Sequence, residues 1–505
     1  MQDARLIAGS RHLTRPARRE DGQPPTDTGA APSLRRPAAV AAAFTLAQLA
    51  LVVPGLGLGW DETVYVSQVG PQAPAAFFSA PRARGITFLV APVAAFTTSV
   101  EALRIWLALL SGCGLFLALR VWRRLLPAPL LAAAGALFAT LWVTLFYGPQ
   151  AMPNLWVAYG ALAATGFLLR AVRNPADRWA LPGLGAGVAL AALMRPTDAV
   201  WLALPLAVAA PLLRPARRRT LAVLSVLAAG LLLGCAPWIA EAYAQYGGLL
   251  ARLRRASEIQ GHLGWYLAVD DHVRALGGRT LCRPCDVPWR HPLSAVWFLA
   301  LPLLVAGGVR AATRTRHRAP VVLATATGLV VAAPYLFTVG YAAPRFLLPA
   351  YALLALPVAQ CLARAARRRT AAVLLAVAAT AHLAVQYRIL DGVADRVRRD
   401  TVTLGRVAAE LHAQGVRPPC VVSGEDAVRV AFRTGCASRQ PSGHDGSITP
   451  RGLAATGQRL PVAVLVSDLG GTPSYARSWR VHPLPDLGHR TGLRAHLSPG
   501  AAPAG

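Results

Sequence analysis

Apolar residues along this chain run in unbroken blocks instead of alternating with polar ones. The blocks have the length that crosses a bilayer, about 17–25 residues for a hydrocarbon core spanned by a helix. They fall at 37–59, 99–119, 128–147, 154–169, 179–194, 197–213, 220–240, 293–309, 319–339, 343–363 and 370–388, which predicts about eleven transmembrane helices. The first block is too long, and lies too far behind a polar leader, for a cleaved signal peptide. Residues 1–36 are Arg-, Pro- and Gly-rich and too poor in apolar side chains to fold, so a disordered cytoplasmic leader is expected there.

Beyond residue 388 the pattern changes. Residues 393–413 carry the period of an amphipathic helix, 420–423 and 462–467 read as short buried strands, and 425–432 as a helix between them. The expected fold is therefore an α-helical polytopic membrane domain over 37–388, with exterior loops at 60–98 and 241–292, followed by a small extracytoplasmic α/β domain at 389–505. No G-x-G-x-x-G follows either strand, so a dinucleotide site is not indicated.

Composition agrees with a membrane protein: mean hydropathy is +0.42, with 54% hydrophobic and 15% charged residues. Soluble globular proteins of this size rarely show that balance, and a disordered chain, a collagen-like fibre and a small disulfide scaffold are excluded as overall descriptions. The net charge of +29 comes entirely from arginine, because the chain has no lysine. A Lys-free, Ala-rich chain points to a GC-rich genome, which removes most of the force of the basic pI. The arginines act as a topology signal. Connections 120–127, 170–178, 214–219, 310–318 and 364–369 hold 18 of them, against 4 in 60–98, 148–153, 195–196 and 340–345. The leader is therefore expected in the cytoplasm and, with an odd number of spans, the tail outside, as in a multi-pass protein of a bacterial plasma membrane. Nucleic acid is not an expected partner, since the basic loops lack interleaved aromatics.

Candidate chemistry begins directly after the first span, at Gly59, Trp60, Asp61 and Glu62. Between the leader and the seventh span only four acids lie at or near the membrane: Asp61, Glu62, Glu101 and Asp198. A carboxylate dehydrated on one side gains basicity and can accept a proton from a hydroxyl, whereas one fully wetted beside a belt tryptophan does nothing chemical. The exterior loop at 241–292 adds His262, Trp265 and Tyr266, side chains suited to stacking on and hydrogen-bonding a sugar, together with Asp270, Asp271 and His272, an acidic–histidine cluster of the kind that is more often solvated than metal-bound.

The order of these features resembles the GT-C family of polytopic, protein-mannosyltransferase-like membrane glycosyltransferases that use polyprenyl-phosphate-linked sugars. It rests on one span followed at once by Asp61 and Glu62, an exterior stretch at 80–95, and Glu101-Ala102-Leu103-Arg104 opening span two. Further on come the Met194-Arg195-Pro196-Thr197 break and Tyr341-Ala342-Ala343-Pro344-Arg345-Phe346-Leu347-Leu348-Pro349. The resemblance covers residues 37–365 and leaves the tail outside. It implies hexosyl or pentosyl transfer, with inversion, from a polyprenyl-phosphate sugar donor to a hydroxyl of a cell-envelope glycan, lipid or protein. It makes Asp61 the general base and Glu62 its neighbour that positions the acceptor or a metal. Arg345 and Arg195, helped by Arg82 and Arg84, would hold the donor phosphate, since a guanidinium matches phosphate oxygens as a planar fork. The alternative for each arginine is snorkelling to lipid headgroups. Trp60, Asn154, His262, Trp265 and Tyr266 would contact acceptor or sugar. The resemblance also leaves open a divalent cation, Mg or Mn. Its ligands are unassigned, because Asn154 stands where relatives often carry an acid and an amide adds no charge.

Four of the seven cysteines, Cys282, Cys285, Cys420 and Cys436, fall in the segments expected outside, where disulfides persist. Three connectivities are open to them, and the sequence-near pairs are favoured. Cys113, Cys235 and Cys361 lie inside apolar spans and read as small core residues. Two other readings compete: a transporter, which would need an internal repeat and an ionisable residue within a span, and a non-catalytic cell-envelope scaffold whose tail recruits a partner.

Overall fold

The computed structural model describes residues 34–213, 216–262, 264–488 and 490–501. The expected leader at 1–36 lies almost wholly outside them. Among the described residues, seven helices are long and apolar enough to cross a membrane: Val100–Arg124, Asn154–Arg173, Arg217–Gln245, Pro292–Ala312, Arg318–Phe337, Pro344–Ala365 and Arg369–Ala413. The four other expected spans also fall on helices, but on shorter ones, Arg35–Leu51, Ala128–Ala139 with Trp142–Tyr147, Ala180–Met194 and Pro196–Leu212. The connection at 60–98 contains two helices of its own, Trp60–Val66 and Gly85–Ala94.

Burial sorts the spans. Asn154–Arg173 and Pro344–Ala365 are 78% buried over their apolar windows, whereas Arg217–Gln245 and Pro292–Ala312 are 28% buried. A helix apolar on all faces can leave most of its surface bare only where the surroundings are themselves apolar. Leu232, Leu233, Leu303 and Leu374 accordingly project outward on the peripheral helices.

The block at 128–147 is one span in the sequence and two helices in the structure. The chain breaks at Thr140 and Leu141, and the freed N–H of Trp142 donates to Gln386 Oε1 at 2.8 Å. A broken helix is tolerated at membrane depth only with such a substitute acceptor. Conversely, the last expected span and the amphipathic helix after it are one continuous 45-residue helix, Arg369–Ala413. The boundary expected at 388/389 therefore lies inside a helix, and the C-terminal domain is attached through a rigid element instead of a linker.

The C-terminal domain is a five-stranded sheet in the order β2-β1-β3-β5-β4, built from β1 (Val421–Gly424), β2 (Ala437–Ser438), β3 (Val462–Val466), β4 (Arg480–Pro483) and β5 (Arg494–Leu497). β2, β1 and β3 run parallel, and β5 is antiparallel to both β3 and β4. Strand alternation divides the core. Val422, Ala463 and Leu465 face Leu404, Val407 and Leu411 of the long helix, while Val421, Val462, Val464 and Val466 pack with Leu453 and Trp479 on the other side. The disulfides join Cys282 to Cys285 and Cys420 to Cys436.

Candidate active site

The short helix Trp60–Val66 begins directly after the first apolar helix, and a buried ion pair sets its position. Both Glu62 oxygens are taken: Oε2 accepts from Gly59 N at 2.8 Å and Arg104 Nη2 at 2.8 Å, and Oε1 from Arg104 Nη1 and from Ala151 N at 2.7 Å. Arg104 is fully buried and also donates to Gly57 O at 2.6 Å and Pro149 O at 2.9 Å. The role expected of Glu62 is corrected by this saturation: it ties two loops together and has no lone pair left to present to an acceptor or a metal.

Asp61, one residue earlier, points the other way, into a cavity of about 870 Å³ between the helical domain and the sheet. Its Oδ1 accepts from Arg82 Nη2 at 2.7 Å and its Oδ2 from Arg345 Nη2 at 3.2 Å. Burial works against its charge, but Arg82 and then Arg345 outweigh it, so the Asp61 carboxyl is held below its usual range. The sign is opposite to the raised basicity expected from dehydration alone.

Three of the four expected phosphate-binding arginines line this cavity. Arg82 stacks 4.9 Å over the Trp60 ring, which also lines the cavity. Arg345 donates to Thr280 O at 2.9 Å and faces Tyr147 Oη at 3.4 Å, while its buried Nε has no hydrogen-bond partner. Arg195 donates to Asp198 Oδ2 and Tyr335 Oη, both at 2.9 Å. The fourth is elsewhere. Arg84 stacks on Phe78, donates to Gln68 Oε1 at 2.9 Å and pairs with Glu241, which also takes Arg252 at 3.1 Å. It is committed to tying the 60–98 connection to Glu241.

The expected sugar contacts separate as well. Asn154 is buried at the start of its helix and does not line the cavity, and neither do His262, Trp265 or Tyr266. Trp265 is 86% exposed and stacks on Phe337 at the end of its helix. His272 is a buried neutral residue, hydrogen-bonded to Tyr335 O, with burial holding its pKa down at about 4. The Cys282–Cys285 loop acts indirectly. Cys282 exchanges backbone hydrogen bonds with Ala342, which fixes Thr280 against Arg345.

Sequence reasoning missed Tyr147 and the whole far wall of the cavity, to which Glu425, Asp426, Gln440, His444, Asp445, Tyr475 and Arg490 contribute from the C-terminal domain. Tyr147 carried a signal in retrospect, as a polar-tipped aromatic beside Gly148-Pro149 at the end of a span. The far wall carried none, because its residues come from the connections after four different strands.

Among the described residues, no group of three or more His, Cys, Asp or Glu side chains is placed to hold a metal ion. The donor set around Asp61 does not fit a divalent cation, since two guanidiniums already occupy its oxygens with positive charge.

A polytopic helical domain, a rigidly attached α/β domain and a polar, arginine-lined cavity between them define a GT-C-like membrane fold. Comparison with solved structures supports the same class. The chain is similar to ArnT from Cupriavidus metallidurans bound to undecaprenyl phosphate, with a TM-score of 0.66 at 13% identity, over 93% of this chain and 98% of that one. The apo state of the same protein matches over the same shares with a TM-score of 0.63. An oligosaccharyltransferase from Archaeoglobus fulgidus matches with a TM-score of 0.48 at 14% identity, over 79% of this chain and 64% of that one. No family model matches the chain, and no curated protein matches it by sequence. The coverage extends the likeness into the C-terminal domain, which the sequence resemblance left outside. The protein is thus a multi-pass membrane protein of the ArnT-like GT-C fold.

Proposed function

We propose that this protein is a membrane glycosyltransferase that moves a sugar from a polyprenyl-phosphate donor to a hydroxyl acceptor in the cavity at the foot of the C-terminal domain. The observation that carries the reading is the convergence of Arg82, Arg195 and Arg345 around Asp61 at the junction of the two domains. Inverting transfer needs cationic donors where negative charge grows on the leaving phosphate, and preorganised guanidiniums supply them without reorganisation. Arg345 has an N–H still to give. A structure of this fold holds undecaprenyl phosphate, which supports a lipid phosphate as the ligand of these arginines. Asp61 is then the counter-ion that offsets the repulsion between Arg82 and Arg345 and holds both at the cavity before the donor arrives. The arginine asymmetry of the connecting loops supports a cavity on the extracytoplasmic face, reached by cell-envelope acceptors.

The test is transfer of radiolabelled sugar from a panel of polyprenyl-phosphate sugars, using membranes containing wild type, Arg345→Gln or Asp61→Asn. Transfer by wild type and a loss of roughly a hundredfold or more in each variant is expected, the scale for removing one preorganised electrostatic contact. Unchanged turnover in Arg345→Gln would take that residue out of the site. Failure of folded wild type with every donor would reject the enzyme reading.

A further inference from the structure

Only one wall of the cavity belongs to the helical domain. The other is the open end of the sheet: Gly424, Glu425 and Asp426 at and after β1, Gly470 and Gly471 after β3, and His444 and Asp445 from the loop after β2. β1 lies between β2 and β3 and is parallel to both; the connection after β1 packs Ala427, Val430 and Ala431 on the face of the long helix, whereas the chain after β3 packs Ala476 and Trp479 on the opposite face. Adjacent parallel strands that diverge in this way leave a crevice at their carboxyl ends, which is where open α/β sheets bind ligands. The close approach is visible at Gly424, which has φ +86°, and where a Cβ would strike the Leu465 backbone. Here the crevice opens into the same cavity as Asp61 and Arg82.

The loop that carries Asp445 is pinned over this crevice. The Gln440 side chain accepts from Gly424 N at 3.1 Å and donates to Gly424 O at 2.7 Å, and Ser447 N donates to Gln440 O at 2.8 Å. Asp445 is thereby held with Oδ1 4.0 Å from Arg82 Nη1, and that oxygen has no hydrogen-bond partner. Arg82 therefore stands between two carboxylates of different kinds. Asp61 accepts hydrogen bonds from two guanidiniums, and Asp445 from none.

We propose that the C-terminal domain is the acceptor site: a polyhydroxylated acceptor, a glycan, lies in the crevice at the ends of β1 and β3, and its attacking hydroxyl gives its proton to Asp445. This rests on the glycosyl-transfer reading above. The bond that forms joins the acceptor oxygen to the anomeric carbon. The bond that breaks joins that carbon to the phosphate oxygen, which leaves with its electron pair as polyprenyl phosphate. The acceptor proton ends on the Asp445 carboxylate, and nothing is oxidised or reduced. Gln440, His444 and Tyr475 around the crevice supply donors and acceptors for further hydroxyls.

Electrostatics agrees with this division of labour. Burial, opposed by Arg82 and reinforced by Asp61, pushes the Asp445 carboxyl up to about 6. It is ionised at neutral pH and is a far better proton acceptor than Asp61. The charged groups that bear on it are Arg82 and Asp61 from the helical domain and the adjacent His444, which is itself held down by burial, Arg283 and Arg255.

The test compares wild type, Gly471→Trp, Asp445→Asn and His444→Gln in membranes given the radiolabelled polyprenyl-phosphate sugar that wild type uses. Binding of undecaprenyl phosphate to each purified protein is measured alongside. Gly471 lines the cavity and a Cβ there meets no atom within 4 Å, so an indole can be introduced at the crevice without a clash against the fold. Gly471→Trp is expected to bind undecaprenyl phosphate as wild type does and to lose transfer roughly a hundredfold through misplacement of the acceptor. Asp445→Asn is expected to bind equally well, to transfer about a hundredfold more slowly, and to lose the acidic limb of the rate profile near pH 6. His444→Gln keeps that limb. Wild-type transfer by Gly471→Trp or Asp445→Asn would overturn the proposal and leave the glycosyltransferase reading standing. Lost undecaprenyl phosphate binding in Gly471→Trp would assign the crevice to the donor and also overturn it. Absence of both transfer and undecaprenyl phosphate binding in folded wild type would sink the two together.

Discussion

Asp445 is kept at a cost in stability. The unfolded chain releases this proton near the ordinary value of 3.8, and the folded chain near 6. The folded state therefore binds the proton more tightly, and stability falls as pH rises from about 4 through 6, then stays level. At about 1.4 kcal/mol per pH unit the displacement amounts to roughly 3 kcal/mol above pH 7. Asp445→Asn is neutral throughout, so it is expected to unfold about 2–3 kcal/mol later than wild type at pH 7.5 and to lose that advantage near pH 4.5. Thermal unfolding of the purified proteins at the two values measures it. Equal midpoints at pH 7.5 would show that the carboxylate carries no burial penalty. The same experiment establishes whether a slow Asp445→Asn enzyme is a folded one. Asp61 behaves in the opposite sense: its depressed carboxyl adds stability above the ordinary carboxylate range and loses it only in strong acid.

Among the elements, the long helix Arg369–Ala413 has the most to hold in place. Its outer half docks on the end of the first helix through Arg398, which donates to Leu51 O at 2.7 Å and Pro54 O at 2.8 Å, and through Thr401, which accepts from Gly57 N at 3.1 Å. Carbonyls at a helix C-terminus have no partner within their own helix, and an arginine there also meets the negative end of the dipole. Arg398→Ala leaves two acceptors without their donor and is expected to cost about 1–3 kcal/mol, read as a lower unfolding midpoint in detergent. No shift would mean that water replaces the guanidinium freely and that the dock is held elsewhere. This helix also shows where sequence reading stops. Its two halves differ in pattern, apolar all round and then amphipathic, and Asp391-Gly392 between them has the look of a turn, yet the helix runs through it, so a change of environment reads as a change of element. The break at Thr140–Leu141 is hidden for the converse reason. It contains no Gly or Pro, and the acceptor that permits it, Gln386, lies more than two hundred residues away. The strands β1 and β3 were legible as short, continuous apolar runs, and Asp61 and Arg345 from charge placed at the ends of apolar runs. Arg84 and Arg82 have the same local pattern, and only the distant Glu241 and Asp61 separate the packing residue from the cavity residue.

At the scale of the molecule, the cavity is useful to a lipid-borne donor and a cell-envelope acceptor only if the C-terminal domain lies outside. Two independent features point there. Arginines crowd one set of loops, 18 against 4, and a short connection with that excess stays cytoplasmic. Both disulfides belong to segments that also wall the cavity, Cys282–Cys285 to the 241–292 connection and Cys420–Cys436 to the C-terminal domain, and disulfides persist in oxidising compartments. The two signals have different physical origins, the first acting during insertion and the second through the redox poise, so their agreement is informative. A C-terminal alkaline phosphatase fusion is expected to be active in whole bacterial cells and a C-terminal green fluorescent protein fusion dark when exported unfolded. The reverse pair would place the cavity in the cytoplasm. The arginine-lined centre would then face soluble nucleotide sugars in place of polyprenyl carriers, and the donor assigned to it would have to change even though the fold would not.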